Sequence, residues 1–135
     1  MEISPYLFFN GNCEEALEFY RSALGGEVHI SRFEGSPMAA ELPDNWKNKV
    51  MHATLTSGDA TFMASDSTPT QNRTPGRNIA MSIGTSEEAS ADRIFAKLSE
   101  GGNVTMPLQK TFWGATFGML VDKYGIEWMI NAQAS

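Results

Sequence analysis

The sequence predicts an α+β fold built from one βαβββ unit used twice, and three observations carry that expectation. The phrase Gly-x-x-Glu-Glu-Ala occurs at Gly11–Ala16 and again at Gly84–Ala89, 73 residues apart. Each copy follows a short apolar stretch (Tyr6 to Phe9; Ile79 to Ile83) and precedes a helix-like segment closed by a glycine pair, Gly25-Gly26 and Gly101-Gly102. Each half then ends in two β-like runs joined by a tight turn, Gly58-Asp59 in the first and Asp122–Gly125 in the second. A repeat at a fixed offset is the mark of a repeated structural unit.

The elements follow in order. Residues 3–10 read as a strand, stopped by the turn signal Asn10-Gly11-Asn12. Glu14 to Leu24 has helical spacing, with Ala16, Leu17, Tyr20 and Leu24 on one face. Glu14 and Glu15 favour the positive end of the helix dipole, and Gly25-Gly26 suits a helix C-terminus. Residues 27–33 form a second strand, and 34–49, with Gly35, Pro37, Pro43 and Asp44, a loop. Residues 50–57 and 60–65 flank Gly58-Asp59 as an antiparallel hairpin. Residues 66–78 are rich in Ser, Thr, Pro, Asn and Gln and read as a linker.

The second unit restarts at Asn78. Ile79, Met81 and Ile83 alternate with Ala80 and Ser82, the pattern of a strand with one apolar face. Ser86 is expected to cap a helix from Glu87 to about Glu100, with Ala89, Ile94, Phe95 and Leu98 inward and one turn more than its partner. Residues 103–106 read as a short strand and 107–110 as a loop. Residues 113–121 and 126–131 form the closing hairpin, in which Trp128-Met129 occupies the place of Phe62-Met63. The chain is expected to be one domain over 1–135, with modules at about 1–66 and 78–135 and a linker at about 67–77.

Composition narrows the functional classes. At 135 residues, 41% apolar and 19% charged, the chain has the make-up of a folded globular domain. No apolar run approaches the roughly 20 residues of a membrane helix, and Met1–Pro5 lacks the features of a signal peptide. Cys13 is the single cysteine, so an internal disulfide is impossible and a cytoplasmic setting is expected. With a formal charge of −6 and ten scattered Lys and Arg, nucleic acid is not an expected partner.

The opening Pro5–Tyr20 stretch, the blocks Lys49–Ala53 and Met63–Asp66, and Phe112–Gly114 through Phe117-Gly118 to Asp122–Trp128 resemble the PhnB-like branch of the vicinal oxygen chelate superfamily. That superfamily includes glyoxalase I, the bleomycin- and fosfomycin-resistance proteins and extradiol dioxygenases. The resemblance implies curled mixed sheets around a cup with helices outside. It also implies a metal held from the first and last strand of each repeat, and a homodimer, for which open sheet edges give an independent reason.

Strand alternation then nominates the inward residues. It places Tyr6 and Phe8 toward the helix and Pro5, Leu7 and Phe9 toward the cup. Thr61 and Met63 face the cup on the fourth strand, as do Asn78, Ala80 and Ser82 on the fifth, and Glu127, Met129 and Asn131 on the last. The implied metal positions fall on Pro5, Thr61, Asn78 and Glu127, of which only Glu127 is a good ligand. The expectation is therefore a small-molecule-binding protein without the full metal site. The alternative is a metal-dependent lyase, isomerase or transferase of the glyoxalase or fosfomycin-resistance kind, with a divalent metal.

The expected ligand-binding set is Phe9, His52, Thr54, Thr61, Met63, Asn78, Trp113, Phe117, Glu127 and Met129. His52 and Glu127 are the candidate catalytic groups, as a carboxylate–imidazole pair or a water-completed two-ligand site. Against these stand ordinary readings: a hydrogen-bonded structural histidine at His52, and core packing for the aromatic and methionine side chains. His29 reads as a surface histidine. Cys13 sits where the dipole favours a thiolate, though on the outer helix. Asp66, Arg73 and Arg77 lie in the linker, either gating the pocket or simply solvated. No nucleophile elbow, phosphate loop, CxxC or zinc-protease motif is present.

Overall fold

The computed structural model describes residues 1–133, which divide into two compact units meeting at Thr74/Pro75. The first unit contains β1 (Tyr6–Phe9), α1 (Cys13–Leu24), β2 (Glu27–Arg32), β3 (Val50–Ser57) and β4 (Ala60–Asp66). Its mixed sheet has the order β1-β4-β3-β2, with β1 parallel to β4 and the other pairs antiparallel. The second contains β5 (Met81–Thr85), α2 (Glu88–Ser99), β6 (Asn103–Lys110), β7 (Thr116–Val121) and β8 (Glu127–Ala132), ordered β5-β8-β7-β6 in the same manner. The predicted α+β class and the doubled βαβββ order are both observed, and neither sheet closes on itself.

In the first unit α1 lays Cys13, Ala16, Leu17, Tyr20 and Ala23 on one face of the sheet, where Tyr20 meets Phe62 edge to face at 6.1 Å. Leu55, Ala53 and Ala64 complete that core, each fully buried. Residues facing the other way on β3 and β4, such as Thr54, Thr61 and Met63, stay partly or wholly exposed. Each sheet thus has a helix-covered face and an open face, as period-two alternation requires.

Asp66 organises the start of this unit. It is 3% exposed, and its Oδ1 accepts hydrogen bonds from the backbone N–H of Gly11 and Cys13 while Oδ2 accepts one from Val50. One carboxylate so ties together the entry to α1, the first residue of β3 and the end of β4. Asn12 makes no side-chain cap, so the helix N-terminus is satisfied from across the fold instead. Sequence placed Asp66 in the linker as a possible gate; it is a buried structural anchor.

In the second unit Trp128, Ile130, Leu120 and Ala132 pack beneath Ala91, Phe95 and Leu98 of α2. Gly118 lies under Phe95, whose ring comes so close that a Cβ could not fit. The two helices have the same length, 12 residues, rather than differing by a turn. Two of the three additional residues are spent before α2 and one, Glu100, after it: Ser86 does not cap the helix, Glu87 is the N-cap, and Ala89 faces solvent while Ala91 is buried. The strand predicted over 103–106 continues to Lys110 through Pro107, with two register shifts against β7. Proline is tolerated there because β6 is an edge strand, free of a second ladder.

The register exposes a displacement hidden in the repeated phrase. Tyr6 pairs with Met63, and Ser82 with Met129. Met63 and Met129 are the equivalent strand positions, so Tyr6 and Ser82 are equivalent, 76 residues apart. The repeated phrases are 73 apart, and in fact Gly11 lies in the turn before α1 whereas Gly84 lies inside β5, paired with Asn131. A shift of three is odd, and in a strand an odd shift reverses every side chain.

Candidate ligand-binding site

The reversal changes the lining of the open face of the first sheet. Because Tyr6 pairs with Met63 and Phe8 with Ser65, Tyr6 and Phe8 share the face of Met63, Thr54 and His52. Tyr6 is 36% and Phe8 42% exposed, whereas Phe9 is 4% exposed and faces the helix side with Asp66, its strand partner. Phe9 is therefore core rather than ligand-lining. Pro5 shares its parity; it is exposed, and its carbonyl accepts the Met63 N–H.

His52, Thr54, Thr61 and Met63 lie on the expected face. The Tyr6 hydroxyl is 3.2 Å from His52 Nδ1, with the ring centroids 5.8 Å apart, and Thr54 Oγ1 is 3.5 Å from His52 Nε2. Tyr6 also stacks at a tilt against Phe8, centroids 5.0 Å apart. When the phenol donates to Nδ1, the neutral ring carries its proton on Nε2 and points a donor along the face. The opposite tautomer donates to the phenol oxygen and leaves Nε2 as an acceptor. Either way a phenol and an imidazole fix one another on a face that also carries Phe8, Met63 and threonines.

The open face of the second sheet is more apolar. Phe117, Met119, Met129 and Asn131 lie on it, with Ser82 at its β5 edge and Glu127 at the far end. Trp113 is 52% exposed in the turn between β6 and β7, its ring 6.4 Å from that of Phe117. Phe112, beside it, is 97% exposed. Asn78 lies outside β5 and is exposed, as is Ile79 at 82%, which had been expected in the core. Glu127 is half-buried, and its carboxylate makes no hydrogen bond or ion pair among the described residues. It belongs to the second unit and His52 to the first.

Among the described residues no three His, Cys, Asp or Glu side chains gather; the open face of the first sheet carries His52 and, on its β2 edge, His29 beside Glu27. A protein-held divalent metal needs several such donors. Cys13 is fully buried, and burial, with the negative charges of Asp66 and Glu14 adding to it, pushes its thiol far above the ordinary range. Desolvation outweighs the helix dipole there. His29 lies on the surface 3.4 Å from Glu27.

Sequence reasoning missed Tyr6 and Phe8. Four consecutive apolar or aromatic residues carry no alternation, so only the pairing of Tyr6 with Met63 assigns the face.

Two mixed four-stranded sheets, each with one helix on one face, define a class of protein. A glyoxalase/bleomycin resistance protein/dioxygenase superfamily member from Sphaerobacter thermophilus has this fold, with 20% identity, a TM-score of 0.59 and 98% of each chain covered. Within that class the family described as 3-demethylubiquinone-9 3-methyltransferase matches residues 1–131, and the chain belongs to this PhnB-like family. Protein YjdN of Escherichia coli (strain K12) is 31% identical over 97% of this chain and 95% of its own length. The crystal structure of protein PA1353 from Pseudomonas aeruginosa has 42% identity and a TM-score of 0.88, covering 100% of this chain and 99% of that one. A putative 3-demethylubiquinone-9 3-methyltransferase, PhnB protein, from Bacillus cereus has 30% identity and a TM-score of 0.80, with 98% and 99% covered.

Proposed function

We propose that the chain binds a small, partly apolar molecule on its open sheet faces, without a tightly held metal. The observation that carries this reading is the Tyr6–His52 hydrogen bond on the open face of the first sheet. A paired phenol and imidazole on an uncovered apolar surface supply directional contacts beside area for a flat ligand. Thr54, Thr61 and Met63 extend that surface, and Phe117, Met129, Asn131 and Glu127, with Trp113 near Phe117, offer a second one. We take the protein to act as a homodimer, because each open face and each edge strand offers a surface that a second copy can cover.

The family description names a methyltransferase. The sheet orders β1-β4-β3-β2 and β5-β8-β7-β6 differ from the doubly wound parallel sheet with a glycine-rich first turn that S-adenosylmethionine binding leads one to expect. We therefore read the name as a family description and not as this chain's chemistry. No helix among the described residues is long and apolar enough to cross a membrane.

The test is a thermal-shift screen of aromatic and short-chain metabolites, repeated with His52→Ala and Tyr6→Phe. Hits should raise Tm in the parent and lose most of the shift in both variants. Hits that survive both substitutions would move the site elsewhere. Metal analysis of the purified protein adds a second check: a stoichiometric transition metal that is lost in Glu127→Gln would replace this reading with a metal-dependent one.

A further inference from the structure

Arg73 stands over the open face of the first sheet, its guanidinium carbon 4.0 Å from the centroid of the Phe8 ring. Its position is set by a two-point clamp: Asn10 Nδ2 donates to the Arg73 carbonyl at 2.7 Å, and the Arg73 N–H donates to Asn10 Oδ1 at 2.9 Å. The Asn10 amide thus holds the segment after β4 against the end of β1, much as a neighbouring strand would. The guanidinium lies over the ring, and its N–H groups, which make no hydrogen bond among the described residues, are left for an oxyanion. Arg73 makes no ion pair among the described residues, in a protein of formal charge −6. The one acid on this open face is Glu27 on β2, the edge strand opposite β1, where it lies 3.4 Å from His29; β1, β3 and β4 contribute Tyr6, Phe8, His52, three threonines, Met63 and Ser65.

We propose that Arg73, with the Tyr6–His52 pair, forms an oxyanion subsite, so that the ligand carries a carboxylate or phosphate on a flat apolar body. The inference rests on the ligand-site reading above and specifies the ligand class. Phe8, 5.0 Å from Tyr6, links the cation to the phenol, and the three rings provide the surface on which the apolar body lies. An anion reaching Arg73 gains charge-assisted hydrogen bonds that a neutral isostere lacks, a difference of about tenfold or more in affinity.

The experiment titrates isotope-labelled protein with 2-naphthamide, 2-naphthoate and 2-naphthyl phosphate, following the Tyr6, Phe8 and Met63 resonances. All three should perturb those residues. At least one anion should bind about tenfold tighter than the amide, an advantage that shrinks as salt is raised. Whether naphthoate or naphthyl phosphate leads identifies the anion. Arg73→Gln should bring the anions down to the affinity of the amide, and Arg73→Lys should restore part of the gap. Equal binding of the three, or an anion preference that survives Arg73→Gln, overturns the subsite while the amide still reports a ligand face. Failure of all three to perturb the face overturns both readings. A face that only a second copy covers would appear in this last way, with the dimer seen by light scattering.

Discussion

The two sheets share a frame and differ in what they place on it. Equivalent positions carry Tyr6 and Ser82, Phe8 and Gly84, His52 and Phe117, Thr54 and Met119, Thr61 and Glu127, while Met63 and Met129 are the same. The first sheet therefore has a phenol–imidazole pair where the second has a hydroxymethyl and a phenyl ring. The anchoring differs as well. Asp66 binds three backbone amides at the end of β4, whereas its counterpart Ala132 has no side-chain donor or acceptor, and the entry to α2 relies on Thr85 Oγ1 accepting the Glu87 N–H. Duplication has kept the hydrophobic layer under each helix and released the open faces to diverge, which is where a ligand would exert its demands.

The sharpest way to break this comparison uses two adjacent phenylalanines. Phe9→Ala should cost about 3–5 kcal/mol, since it empties a buried aromatic site. Phe8→Ala should cost less than about 1 kcal/mol, since that ring is largely on the surface. Urea unfolding of both variants decides the matter, and equal losses would mean that the faces of β1 are wrongly assigned. Asp66→Ala comes next, with an expected loss of about 3 kcal/mol from buried N–H groups left without an acceptor. Hydrogen exchange should show the start of α1 opening first, while α2 keeps its protection.

The smallest effect concerns a device common to both units. Glu14 is held by both terminal guanidinium nitrogens of Arg32 at the end of β2, and Glu88 by Lys110 at the end of β6 with help from Thr116. Hydrogen bonding to these partners lowers both carboxyls below their ordinary 4.5. A depressed folded value contributes stability that is complete above the unfolded value and is lost as pH falls through the folded one, so the window lies below 4.5. Both pairs are substantially exposed, so the effect is slight. Unfolding midpoints taken from neutral pH down to about 3 should fall less steeply in Glu14→Gln and in Glu88→Gln than in the parent.

Much of the fold was legible in the sequence because it rests on local signals. Helical spacing from Ala16 to Leu24, the turn at Gly58-Asp59 and the alternation along residues 127–132 each identify an element from its own residues. The face of β1 was not legible in this way. Tyr6, Leu7, Phe8 and Phe9 are all apolar or aromatic, so four residues give no alternation, and the repeated phrase is displaced by three against the strand register. Asp66 was misplaced for a related reason: a carboxylate at the edge of a polar stretch looks solvated, and only the tertiary approach of Gly11, Cys13 and Val50 shows that it is buried. The face of His52 and Met63 was legible because β3 and β4 alternate cleanly. Arg73 was visible as a residue, but its clamp depends on Asn10, 63 positions away.

The most direct measurement is side-chain nitrogen NMR of the two histidine rings in the parent protein and in Tyr6→Phe. The phenol hydroxyl is placed on His52 Nδ1, so that resonance should shift when the hydroxyl is removed, while the exposed His29 ring should not respond. Histidine spectra that are the same in both proteins would contradict the placement of Tyr6 on the open face, and with it the site proposed there.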